Sequence, residues 1–328
     1  MKKIILFCFF VFVLFGSYQI YKMLSVSYTK IGNKTYAHSI SLIMSGRFDS
    51  LRLSGNGVKI GVLDAGFGGL KKNRWTKNMY IANYADFTTN DTIEFFEDEV
   101  NHGTLVCKNI AGHLSEDTIS GLAYNSEYYL AKIDVFGEEL RGEELRMMEG
   151  IKWLVNQKVD IITSSIAYTY FEDFSGYSPN MLDGKSSAIS KFVDSVLIEN
   201  PNLIFVQSAG NKGNSEWKYV SFPADVESVI TVGASDFDGI DKSDYSGVGR
   251  NNFGYIKPDI VIPASPRGTS FSTPVIAGLC AAILEYKRIS RDEMISVLHY
   301  SGSKASCPNN EVGYGIPSTD LILSYLVY

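Results

Sequence analysis

The 328-residue chain is poor in the residues that would mark a special class of protein. Cysteine occurs four times, too few for a disulfide scaffold. Histidine also occurs four times, and no Cys/His cluster has zinc spacing. Neither charge dominates: 30 Lys and Arg stand against 36 Asp and Glu, so mild acidity gives no electrostatic reason to bind nucleic acid. Internal repeats and low-complexity blocks are absent. At 45% hydrophobic residues, long disorder and a polytopic membrane protein are both excluded. The length suffices for one large domain or two modest ones.

Long hydrophobic runs are also lacking, except at the start. Met1-Lys2-Lys3 precedes an uncharged apolar run, Ile4 to Phe15, and then Gly16-Ser17. This is the shape of a secretory signal peptide over residues 1–17, so export is expected, whether to the medium, the periplasm or the cell surface. The run is short of the roughly 20 residues that span a bilayer. Tyr18 to Leu24 prolongs its apolar character, so an uncleaved anchor over residues 4–24 is the alternative, and the only ground for expecting a membrane. Cys8 lies inside the run, not after it, which argues against a lipoprotein. Cleavage leaves Cys107, Cys280 and Cys307, an odd number that permits at most one internal bridge.

Beyond this segment, strands alternate with helices. Val58 to Leu63, Tyr128 to Val135, Asp160 to Ile166, Leu203 to Gln207 and Ser228 to Val232 read as strands. Gly142 to Lys158 and Ser186 to Glu199 carry apolar residues at helical spacing. Thr273 to Lys287 is an Ala-rich helix that reads as buried nearly all round, and Ser290 starts another, with Asp292 and Glu293 in its first turn. The pattern predicts an α/β fold, a three-layer sandwich around a mostly parallel central sheet.

Three polar residues stand out by context. Asp64 ends the strand VKIGVL and enters a Gly-rich turn. His102 opens Asn101-His102-Gly103-Thr104-Leu105-Val106, before an apolar run. Ser270 lies in Gly268-Thr269-Ser270-Phe271-Ser272-Thr273-Pro274, before the Ala-rich helix. Strand ends and helix N-termini are where α/β proteins place reactive groups. Singly, each has a plainer role: Asp64 capping a turn, His102 or Ser270 capping a helix. Gly66-Phe67-Gly68-Gly69 is not a dinucleotide fingerprint, because its third glycine would fall at Lys71.

Taken together and in this order, the segments VLDAGF, NHGTLV and GTSFSTP resemble those of the subtilisin-like serine proteases, the subtilase family. Gln207-Ser208-Ala209-Gly210-Asn211 resembles the family's oxyanion segment, although Asn211 alone could be a turn former. Phe222-Pro223, Tyr245-Ser246-Gly247, Lys257-Pro258-Asp259-Ile260 and Gly313-Tyr314-Gly315 match as well, so the resemblance spans about residues 38 to 325.

The resemblance implies a serine endopeptidase working through an acyl-enzyme. A serine hydroxyl needs a base within hydrogen-bond reach to become a nucleophile. Ser270 would attack, His102 would move the proton and Asp64 would orient the imidazole. Asn211 and the Ser270 backbone N–H would meet the oxyanion. Pro274 would fall in the first turn or so of its helix, where its missing N–H does no harm. The family's peptide-binding edge corresponds to Ser164, Ser165, Ile166 and Ala167; Ser208, Ala209 and Gly210 are expected to bind substrate as well, and Ser221, with Phe222 and Pro223, to border the primary specificity pocket. Ala167 stands where many relatives have Gly. Ala167 and Tyr168 would either narrow the cleft or leave an ordinary strand. The stretch between Pro263 and Gly268 is shorter than in many relatives, which bears on the surface around the nucleophile.

No cofactor is required. Asp86, Asn90, Asp91, Glu94, Glu97, Asp98 and Glu99 could hold a structural calcium, but EF-hand spacing is absent, and a solvated acidic loop is the plainer reading. His38, His113 and His299 read as structural or surface residues. The expected partner is a peptide or protein substrate, acted on by a monomer. A catalytically impaired peptide-binding protein on the same fold is the alternative, and transfer to another acceptor would use the same residues. The division expected is 1–17 signal or anchor, 18–37 a short segment, and 38–328 the peptidase domain. About 20 residues before the domain are too few for a folded propeptide.

Overall fold

The structure, a computed structural model, describes residues 27–89, 91–135, 137–251 and 254–327. The expected signal or anchor, Asn90 of the acidic stretch and the C-terminal Tyr328 lie outside these residues. The described chain opens with a hairpin, β1 (Tyr28–Ile31) and β2 (Lys34–Ala37), and two short helices, α1 (His38–Ile43) and α2 (Gly46–Ser50). Strands β3 (Lys59–Asp64) and β4 (Tyr80–Asp86) follow, then helix α3 (His102–Ala111) and short strands β5 (His113–Ser115) and β6 (Thr118–Ile119). Next come β7 (Glu127–Lys132), α4 (Gly142–Asn156), β8 (Ile161–Ser164), α5 (Ala188–Glu199), β9 (Ile204–Ser208), β10 (Ile230–Ser235) and β11 (Ile260–Pro263). Helices α6 (Thr269–Tyr286), α7 (Arg291–Ser301) and α8 (Thr319–Val327) complete the chain.

Seven strands form one sheet in the order β11-β10-β9-β8-β3-β7-β4, and every neighbouring pair is parallel. Parallel strands need crossover helices, which cover both faces and make the strands apolar throughout. Alternation along each strand feeds two cores. Ile60, Val62, Leu130, Val206 and Val232 face the core containing α3 and α6. Leu63, Tyr129, Ala131, Ile162 and Phe205 face the other, packed by α4 and α5. This is the α/β sandwich the sequence predicts. A second sheet, β1-β2-β6-β5, joins the opening hairpin to the chain after α3 and buries Tyr36 and Ala37. Sequence reading does not find β4 or β11. The former is an edge strand with a largely exposed, polar pattern, and the latter has four residues ending in proline.

Helix boundaries follow local chemistry. Ser187 accepts a hydrogen bond from the Ser190 N–H and starts α5, and Ser290 accepts one from the Glu293 N–H and starts α7. Helix α6 begins at Thr269, earlier than its apolar pattern suggests, and is buried from Thr269 to Leu284. It is long and apolar enough to cross a membrane by composition, but here it is the central helix of the core.

At the far end of the sheet, Lys257 is buried with its ammonium 2.8 Å from Asp259 Oδ2. Asp259 Oδ1 lies 2.8 Å from His299 Nε2, and the His299 ring stacks on Tyr314. Burial works to raise the Asp259 carboxyl, but Lys257 and His299 outweigh it and hold it below the usual carboxylate range. A depressed carboxyl adds stability above its unfolded pKa and loses it as pH falls through the folded value. Lys257→Met leaves that carboxylate buried without its main counter-charge. The expected cost is about 3–5 kcal/mol in urea unfolding, with acid unfolding beginning at a higher pH than in the parent. Unchanged stability at neutral pH would contradict this account.

Candidate active site

Asp64, the last residue of β3, has no solvent exposure. Its Oδ1 accepts the Ala65 N–H at 2.8 Å and lies 2.7 Å from His102 Nδ1. Its Oδ2 is buried without a hydrogen-bond partner among the described residues. His102 is the first residue of α3. Gly103 brings it there: the Gly103 N–H bonds the Gly66 carbonyl at 2.8 Å, and a Cβ at position 103 would lie 2.7 Å from that oxygen. Only a glycine lets the helix start so close to the Asp64 turn. The imidazole is 29% exposed and its ring centre lies 5.4 Å from that of Phe271, so one edge remains open. Asp64 raises the imidazole above its ordinary pKa; burial opposes this, and the hydrogen bond to Asp64 reinforces it.

Ser270 is the second residue of α6 and is buried at 7% exposure. Its hydroxyl bonds the Ser165 carbonyl at 3.4 Å, and the Ser165 hydroxyl donates to the Ser270 carbonyl at 2.9 Å. The second bond has a cause in the sequence. Pro274 lies in the second turn of α6, not the first, and has no N–H for the carbonyl four residues earlier, which is that of Ser270. Ser165 supplies the missing donor. The Ser165 side chain thus fixes the backbone of Ser270 rather than standing free.

Asn211 follows β9 and is exposed. Its Oδ1 accepts the Thr269 N–H at 2.9 Å and the Thr269 hydroxyl at 3.1 Å. With the carbonyl end so held, the amide N–H₂ is the end left to face a ligand, beside Gly268. Thr269, which sequence reading passes over, is therefore the residue that orients Asn211. The signal was present: Thr269 adjoins the serine at a helix start, where an unpaired N–H needs an acceptor.

The remaining cleft residues separate into two walls. Ser164 Oγ accepts the Ile166 N–H at 3.2 Å, and the Gln207 amide donates to the Ile166 carbonyl at 2.8 Å. Tyr168 exchanges two backbone hydrogen bonds with Phe222, each 2.9 Å. Its ring is buried, and its hydroxyl donates to the Glu143 carbonyl at 3.2 Å, so it does not stand in the cleft. On the other wall Ala209 and Ser221 are joined by a 3.0 Å backbone bond. The short turn before Gly268 is pinned by Asn109 to the Ser265 carbonyl and by the Tyr245 hydroxyl to the Gly268 N–H. A cavity of about 440 Å³ lined by His38, Asn109, Asp236, Tyr245 and Arg267 lies against this turn and contains none of Asp64, His102 or Ser270; the hydrogen-bonded geometry, not the cavity, marks the site. Cys107, Cys280 and Cys307 are free thiols, the first two buried. Among the described residues no group of three or more His, Cys, Asp or Glu is placed to hold a metal, and the acidic stretch pairs instead through Glu97 to Lys72 and Asp98 to Lys132.

Gly210 has φ of +90°, and a Cβ there would lie 2.1 Å from Ser221 Oγ. Gly210→Ala is expected to destabilise the fold by about 1–3 kcal/mol and to lower activity by displacing Asn211. Adding Ser221→Gly should recover part of the loss, because it removes the clash but not the backbone strain. Urea unfolding of the two variants checks this, and no recovery in the double variant would refute the contact.

A profile of the subtilase family matches residues 55–315. An intracellular serine protease of Paenibacillus polymyxa is 28% identical over 246 residues, covering 72% of this chain and 69% of its own. Subtilisin DY of Bacillus licheniformis is 25% identical over 271 residues, covering 80% of this chain and 89% of its own. Among solved structures, the Clostridium perfringens CspB protease superposes with a TM-score of 0.68 at 17% identity, covering 88% of this chain and 99% of its own. The prenylagaramide maturation protease PagA gives 0.62 at 20%, covering 85% and 97%. The structural likeness confirms the fold, and the family match over most of the chain carries the classification. This chain belongs to the subtilase family of serine-type endopeptidases.

Proposed function

We propose that this chain hydrolyses peptide bonds through an acyl-enzyme formed on Ser270. The observation that carries the reading is the 2.7 Å contact between Asp64 and His102, set beside a serine at the start of a buried helix. His102 takes the hydroxyl proton as Ser270 attacks the scissile carbonyl, and returns it to the leaving amine. The Ser270 hydroxyl, which bonds the Ser165 carbonyl in this structure, must leave that acceptor to give its proton to the imidazole. Asp64 holds the tautomer with the proton on Nδ1 and stabilises the imidazolium. The tetrahedral oxyanion is met by the Asn211 amide and the Ser270 N–H, both fixed before substrate arrives. Water then opens the ester by the same proton relay. The substrate lies between the Ser164–Ala167 wall and the Ser208–Gly210 wall with Ser221 beneath. No step calls for a cofactor, and a monomer holds every group named. The charged start and apolar run of residues 1–17 support export.

Labelling by a serine-directed fluorophosphonate tests the nucleophile. The parent should label and Ser270→Ala should not; equal labelling would sink the assignment. Asn211→Ala should keep its labelling site but lose about 10²–10³-fold in kcat, the magnitude known for the corresponding donor in subtilisin. A loss confined to KM would assign Asn211 to substrate binding instead.

A further inference from the structure

Strands β8 and β9 pair in register from Ile161 with Ile204 to Ser164 with Gln207, and beyond that last rung the two chains part. One continues as Ser165 to Ala167 and the other as Ser208 to Gly210, the two walls of the cleft. Gln207 therefore stands at the fork where the cleft opens. Strand alternation sets its side chain on the face of Phe205 and Ala209, in the apolar core packed by α4 and α5. It has no solvent exposure there. Its amide reaches across the fork. Nε2 donates to the Ile166 carbonyl at 2.8 Å on the far wall, and lies 3.4 Å from both the carbonyl and the hydroxyl oxygen of Ser208 on its own wall. Oε1 is buried with no hydrogen-bond partner among the described residues. Packing alone does not call for an amide at this place, because an orphaned buried carbonyl costs free energy that a methionine would not. What the amide contributes is its pair of N–H donors.

We propose that Gln207 is a positioning residue that ties the two walls together and fixes the chain after β8 as a substrate-pairing edge. This rests on the substrate lying between those walls. Both main-chain groups of Ile166 are engaged from inside the protein, the carbonyl by Gln207 and the N–H by Ser164 Oγ at 3.2 Å. Groups so engaged are not offered to a substrate. Pairing falls instead to the residues on either side, Ser165 and Ala167, as along a strand edge, where alternate residues bond outward. The Ser165 carbonyl already faces the site, 3.4 Å from the Ser270 hydroxyl. A peptide that pairs with this edge needs Ile166 held in place. A small ester, which reaches only Ser270 and the oxyanion donors, does not. The consequence of the tie is a dependence on substrate length.

The test compares a long substrate with a short one on the full chain. The readouts are kcat/KM on an internally quenched hexapeptide library, kcat/KM on p-nitrophenyl acetate, and urea unfolding. Gln207→Met keeps the bulk and removes the donors. The ratio of peptide to ester kcat/KM should fall about tenfold, the worth of one or two lost hydrogen bonds. Stability should not fall, since the orphaned oxygen goes too and Ile166 is only half-buried. An unchanged ratio overturns the proposal, whether both rates hold or both fall together with stability, as they would for a purely structural residue. Should Gln207→Met not fold, Gln207→Asn decides alone. It keeps the amide but is one methylene short of Ile166, so the same fall in the ratio is expected and an unchanged ratio overturns the tie. Binding is read separately in Ser270→Ala, by the anisotropy of a fluorescein-labelled hexapeptide pool. Adding Gln207→Met should weaken that binding about tenfold. Equal affinity overturns the tie whatever the parent's activity. If the parent cleaves neither substrate yet these two proteins differ in affinity, the acyl-enzyme reading fails and the tie stands. A pool that binds neither protein overturns the cleft and the tie with it.

Discussion

A carboxylate with no exposure to water is costly to keep ionised unless donors or a cation face it. Asp64 is such a group, and the site is built around meeting its demand. The Ala65 N–H and the His102 imidazole share one oxygen, while the other has no partner among the described residues. Positive charge developing on the imidazole is therefore drawn to a place that is already electron-rich and dry. The fold supplies the placement. Strand β3, inside an all-parallel sheet, ends there, and α3 starts there because Gly103 allows close contact with the turn.

The Ser270 half of the site is held by a different logic, that of unsatisfied backbone groups. Pro274 leaves one helix carbonyl without its donor, and the start of α6 leaves an N–H without an acceptor. Ser165 answers the first and Asn211 the second. Both residues come from the ends of neighbouring strands, β8 and β9. Hydrogen bonds that complete the helix thus also lock the serine and the amide into one frame. Preorganisation of this kind needs no rearrangement at the moment of reaction.

Much of this was readable from the chain alone. Strands β3, β7, β8, β9 and β10 announced themselves as apolar runs, and Ser290 as a helix start. Asp64, His102 and Ser270 were marked by their place at strand ends and helix starts, read together with ordered motifs, and Asn211 by its likeness to a family segment. What escaped had physical reasons. Strand β4 is an edge whose polar residues carry no burial signal, and the small sheet joins pieces of two to four residues far apart in sequence. The role of Ser165 depends on which turn of α6 receives Pro274, and the helix starts four residues before its apolar pattern does, at Thr269 rather than Thr273. Tyr168 looked like a cleft residue because its neighbours are, yet its ring turns inward to α4.

Helix α6 is buried along nearly its whole length, and this has a consequence for how the molecule fails. Segments open in cooperative units, and those with the fewest solvent contacts open last. Ser270, its carbonyl and the N–H beside Asn211 all belong to that most protected unit. Amide exchange in the body of α6 should therefore be as slow as the global unfolding of the chain.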